Sequence, residues 1–126
     1  MNWYQDLVDF HQKFGCAYQV RPGDVDKQTR ALRKELIREE TGELFDAMDA
    51  VDLADIADGI VDSIYVLLGT AVSYGIDIRP VWDIVHRANM AKEGGTTRED
   101  GKILKPAGWA APDVEGEIER QRISEN

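Results

Sequence analysis

The sequence is poor in the residues that soft metals and covalent catalysis use, with one cysteine and two histidines in 126 residues. Cys16 has no partner for an internal disulfide, which fits a reducing cytoplasm. Bases are scarce too. With 15 Lys and Arg against 24 Asp and Glu, the net charge is −9, which argues against a nucleic-acid polymer or an anionic membrane as partner. A small anionic substrate stays possible where cations neutralise the charge locally. The N-terminus lacks the basic start and apolar run of a signal peptide. The longest apolar stretch, Ile60 to Tyr74, is too short and too polar at its ends to span a bilayer. No segment alternates like a strand, and no internal repeat or low-complexity tract is present.

What remains is helical periodicity in a globular composition, 43% hydrophobic and 31% charged. The spacing predicts a first helix from Asn2 to Phe14, with Trp3, Leu7, Phe10 and Phe14 on one face and Gly15 as its stop. After the turn residues Arg21-Pro22-Gly23, Asp24 or Asp26 caps a second helix running from Lys27 to Ala50. Asp52 caps a third, which continues to Ser73 or Tyr74 and stops at Gly75. Pro80 stands early in a fourth, which ends at Gly94-Gly95. The stretch TTREDGKILKPAGWAAPD reads as an ordered loop with one short hairpin, and the tail from Val114 as frayed or a marginal helix. The expected architecture is an all-α bundle of four to five helices, with one domain over 1–112 and a polar tail over 113–126.

Two helices carry acids where acids are not expected. At about 100° per residue, Leu32, Leu36, Leu44, Ala47 and Met48 form one apolar stripe on the second helix. Glu40 falls inside that stripe, Glu43 close to Leu36, and Glu39 on its rim. The third helix is apolar around almost its whole circumference, the pattern of a buried helix, yet Asp55, Asp58 and Asp62 make a narrow line on its N-terminal half. Gly69 and Ser73 continue the line. Three acids on a helix usually face solvent. The short link from Asp49 to Asp52 packs the two helices antiparallel, however, so both acid sets face one space. Carboxylates crowded there must bind protons or a cation. A cluster of Asp and Glu alone suits Mg²⁺ or Mn²⁺.

EETGE, Glu39 to Glu43, resembles the EExxE motif of the all-α nucleoside triphosphate pyrophosphohydrolases. That MazG-like superfamily also includes dimeric dUTPases and phosphoribosyl-ATP pyrophosphohydrolase. DGIVDSIYVLLGTAVSYGID resembles its second motif helix, and HRANMAKEGG with DGKILKPAGW the Asn- and Lys-bearing segment that follows. The likeness covers Arg30 to Pro112. One departure stands out: the second acid pair of the family is spaced by three, but Gly59 lies three before Asp62. The pair is carried onto Asp58 and Asp62, with Asp55 as a substitute, and the choice among the three stays open.

The resemblance implies hydrolysis between the α- and β-phosphates of a nucleoside triphosphate, giving monophosphate and pyrophosphate. In that reading Glu40, Glu43, Asp58 and Asp62 hold one to three Mg²⁺ ions, and Glu39 positions or deprotonates water or is a further ligand. Asn89 and Lys92, on the last turn of the fourth helix, face the phosphates, with Arg98, Lys102 and Lys105 closing over them. Phe10, His11, Phe14 and Trp109 are candidates for an aromatic base slot, although aromatics at helical spacing are usually core. His11 and His86 read as ordinary histidines rather than ligands. Likeness to the dimeric dUTPases points to a pyrimidine, dUTP-like substrate in a cytoplasmic enzyme. The apolar third helix points to a homodimer or dimer-based tetramer. The rival is a non-enzymatic helical interaction module with solvated acids. A di-iron protein is disfavoured, because no Glu-x-x-His pair exists.

Overall fold

Asn2, Asp26, Asp52 and Asp113 each accept the backbone amide three residues ahead, so a short acceptor begins four of the helices. The computed structural model describes residues 2–124, and all regular structure among them is helical. The helices are α1 (Trp3–Phe14), α2 (Lys27–Asp49), α3 (Leu53–Ser73), α4 (Ile78–Met90) and α5 (Val114–Ile123). Gly15 ends α1 in the left-handed conformation, at φ 68°, as the sequence predicts. Gly75 has φ 70°, and a Cβ there would strike the Arg21 carbonyl, so only glycine fits.

Chain contacts divide after Asp77 into Met1–Asp77, which holds α1 to α3, and Ile78–Asn126, which holds α4 and α5. That boundary falls within the span 1–112; of the two readings of the tail, a frayed end or a helix, the helix forms as α5, and it packs on α4. Met1, Glu125 and Asn126, included in the expected limits, lie outside the described residues.

In the first unit, α2 and α3 pack antiparallel across a link in which Val51 takes a positive φ of 55°. Gly59 is the point of closest approach, since a Cβ there would lie 3.1 Å from Leu44 Cα. α1 packs on α3. The expectation that α3 is buried all round is not met within this chain. Leu53 is 78% and Leu67 50% exposed, and Ile60, Val61 and Tyr65 are exposed as well. The physical reason is a shortage of partners, because only α1 and α2 cover α3 in its unit. Along α2, Ala47 is buried and Leu36 and Leu44 are half-buried, but Leu32 and Met48 are exposed.

α3 has 21 residues and is long and apolar enough to cross a membrane, by length and composition only. That corrects the count from Ile60 to Tyr74, because the helix already begins at Leu53. Core helices pass the same test, and Asp55, Asp58 and Asp62 would be expensive in hydrocarbon.

In the second unit, α4 stops at Met90 and not at Gly94-Gly95. The chain leaves the helix through the amides of Ala91 and Lys92, the latter bonded to Asn89 C=O. A Cβ on Gly95 would strike the Leu104 carbonyl, so the turn is drawn against the loop that follows. The predicted hairpin is present: Thr97 pairs antiparallel with Ile103, and Leu104 N–H donates to Thr96 C=O.

Replacing Gly59 by Leu should force α2 from α3 and lower stability by about 1–3 kcal/mol, the usual range for overpacking. Denaturant unfolding checks this, and a neutral result would mean that the two helices do not meet at that point.

Candidate functional site

The α2–α3 seam is acidic over several turns. Glu43 and Asp46 from α2 line a cleft of about 450 Å³ with Asp55, Asp58, Gly59 and Asp62 from α3. Asp46 was missed in the sequence, although its spacing of three from Glu43 puts the two on neighbouring parts of one face. Glu40 is half-buried, and its carboxyl titrates above the ordinary range. Burial is the first cause, followed by the negative charges of Glu43, Asp62, Glu39 and Asp58. No cation figures among these influences. Glu40 therefore feels four neighbouring carboxylates, and the pair that it senses on α3 is Asp58 and Asp62. Asp55 lines the cleft but is not among the charges acting on Glu40.

The donor set is all carboxylate oxygen, which suits a hard divalent cation. Among the described residues no three or more Asp, Glu, His or Cys side chains are placed so that together they could hold a metal ion. Glu39 and Glu43 are exposed, so the cleft is open to water.

Asn89, Lys92, Lys102 and Lys105 all belong to the second unit. Asn89 lies in the last turn of α4, but Lys92 stands beyond the helix, so the expected shared helical turn does not form. Trp109 organises this unit instead. Its indole N–H donates to Ala88 C=O at 2.7 Å. The Lys92 and Lys105 ammonium groups lie 5.3 and 5.2 Å from its ring centre, within cation–π range. Trp109 is thus committed to lysines and not left open as a base-stacking face. Arg98 is held by Asp100 through two hydrogen bonds in the hairpin turn. Lys102 is exposed.

In the first unit Phe10 packs on Phe14 and Tyr65, with ring centres 4.8 and 5.4 Å apart. His11 is a core residue, 2% exposed, with Nδ1 2.8 Å from Ala17 C=O. Burial pulls its pKa down, the Ala17 bond opposes this, and the nearby Arg33 charge adds to the lowering. His86 is exposed.

The family model described as phosphoribosyl-ATP pyrophosphohydrolase matches residues 7–89. The match contains every acid of the seam and ends on Asn89, while the three lysines lie beyond it. The chain is also similar to a protein of Acanthamoeba polyphaga mimivirus, named Uncharacterized protein L479, with 37% identity over 79 residues. The similarity takes in 60% of this chain and 32% of the viral protein, so the chain spans about a third of that relative's length.

Because Glu40 is charged above its raised titration range and repelled there, Glu40→Gln should stabilise the metal-free protein at about pH 7. As pH falls through that range the parent takes up the proton and the difference should close. Melting temperatures across pH test the sign; a less stable Gln variant at neutral pH would show that the carboxylate serves a structural partner.

Proposed function

Since the chain belongs to the phosphoribosyl-ATP pyrophosphohydrolase family, we propose that it hydrolyses a nucleoside triphosphate between the α- and β-phosphates, releasing monophosphate and pyrophosphate. The observation that carries this reading is the acidic seam: Glu43 and Asp46 line one cleft with Asp55, Asp58 and Asp62, and Glu40 beside them is raised in pKa by burial and then by its acidic neighbours. A solvated acidic face of a mere interaction module has no need of acids from two helices aimed at one seam.

Glu40, Glu43, Asp58 and Asp62 would hold Mg²⁺, with Mn²⁺ as a substitute, and Asp55 and Asp46 flank them in the cleft. When bound, the metal supplies neutralisation of charge on the phosphate oxygens and a lowered pKa for water. Glu39, exposed at the rim, would orient or deprotonate the attacking water. Asn89, Lys92, Lys102 and Lys105 would bind the phosphates, and the Trp109 ring limits where two of those ammonium groups can go. The substrate in this reading is a pyrimidine triphosphate of the dUTP type. The uncovered apolar side chains of α3 favour a homodimer or a dimer-based tetramer. The lone cysteine is consistent with work in the cytoplasm.

A nucleotide panel assayed with Mg²⁺ should give pyrophosphate as the first product and no turnover in chelator. Glu43→Gln should reduce the rate at least about a hundredfold, the upper end of what an outer change at a metal site costs. Orthophosphate plus diphosphate would overturn the assigned bond, and no turnover on any nucleotide would favour the interaction module. Light scattering at micromolar concentration should report a dimer or larger, and a monomer would refute the assembly.

A further inference from the structure

Arg33 is the only Lys or Arg that is buried among the described residues, at 8% exposure. Its Nε donates to Thr70 Oγ1 at 3.1 Å and its Nη2 to Val66 C=O at 2.7 Å. No carboxylate pairs with it; burial lowers its pKa, and the Cys16 thiol on the cavity wall acts in the opposite direction. Those bonds leave Nη1 without a protein acceptor among the described residues. A guanidinium keeps its charge under almost any burial, so Nη1 is a strong donor awaiting an acceptor.

The acceptor has a place to sit. Arg33 forms part of the wall of a cavity of about 530 Å³, whose apolar sides include Phe10, Leu36, Tyr65 and Val66. That is the size and character of a small-molecule pocket with few polar anchors. Gly69 makes room for two of the lining side chains, because a Cβ there would lie 2.6 Å from Arg33 Nη2 and 3.0 Å from His11 Nε2. His11 is fixed beside it: a carbonyl only accepts, so Nδ1 donates to Ala17 and Nε2 is left unprotonated.

The cavity also continues the acidic seam. Leu36 stands one turn before Glu40 on α2, and Val66 one turn after Asp62 on α3. Arg33 lies seven residues from Glu40, about 10 Å along the helix. A nucleotide with its phosphates at the acids would place its sugar near Leu36 and the outer edge of its base at Arg33.

We infer that this cavity is the base site and that Arg33 Nη1 donates to a keto oxygen on the outer edge of the base, selecting uracil-, thymine- or guanine-type bases. Cytosine and adenine present an amino group there, which is a second donor facing a donor. The inference rests on the proposed phosphate site at Glu40.

The test measures binding of dUMP and dCMP by calorimetry, without turnover, alongside kcat/KM for dUTP and dCTP with Mg²⁺. One charge-assisted bond predicts a preference of roughly tenfold or more for the keto base. Equal binding of dUMP and dCMP by the parent overturns the inference without any variant. Arg33→Gln should erase the preference, mainly through KM, while Arg33→Lys, which keeps the cation, should retain part of it. An unchanged preference in a folded Arg33→Gln protein contradicts the assignment. Binding of inorganic phosphate alone that is lost in Arg33→Gln would instead make the site an anion site and also overturn it. Keto-selective dUMP binding that depends on Arg33, without hydrolysis of any nucleotide, would leave the base site standing and remove the proposed reaction. Hydrolysis without such selectivity would do the reverse.

Discussion

Repulsion between carboxylates across the α2–α3 seam is the constraint around which the first unit is arranged. Two helices that need to share an apolar interface bring Glu39 and Glu43 from one side and Asp58 and Asp62 from the other to act on the half-buried Glu40. Such an arrangement lowers stability unless protons or a cation intervene. The fold does not relieve it by moving the helices apart, because Gly59 admits the Leu44 backbone at the same level. The open cleft beside the acids is what lets water screen them in the absence of metal.

The opposite charge lies at the other end of the same seam. Going from Glu43 toward the start of α2, the acids give way to Leu36 and then to Arg33, buried against Thr70 and Val66. The pairing of α2 with α3 therefore sets a polarity, with anionic groups at one end and an unpaired cation at the other. Neither end is explained by packing alone. A buried cation without an acid and a half-buried acid without a base both cost free energy, and moving them together would have removed both penalties. Their separation by about two helical turns suits the proposed ligand, whose phosphates would meet a cation at the acids and whose base would reach Arg33.

The helix starts were legible because they rest on local chemistry. Asp26, one of the two expected caps, and Asp52 cap as their side chains dictate, and Gly15 and Gly75 stop helices by their positive φ. The C-terminus of α4 was not, since Ala91 to Glu93 are compatible with helix and only the approach of Gly95 to Leu104 ends it earlier. That is a long-range fact, and it is also why Lys92 left its expected helical turn. The all-round apolar pattern of α3 was read correctly as residues, but one chain supplies too few partners to cover it. Arg33 was overlooked because a single arginine on a charged helix reads as solvated. Its position seven residues before Glu40 places it on nearly the same face, a signal that helical-wheel arithmetic contains. Whether a lysine meets a phosphate or an indole, as Lys92 and Lys105 do with Trp109, cannot be read from spacing at all.

In the proposed function the seam acids hold a cation against their own repulsion. Melting temperature as a function of Mg²⁺ concentration tests it most directly, because a cation that binds the folded state alone stabilises it by mass action. The parent should gain stability in a saturable way, and Glu43→Gln should lose most of that gain while its metal-free melting temperature stays level or rises. A parent whose melting temperature does not respond to Mg²⁺, or responds without saturation as to any salt, would contradict the account.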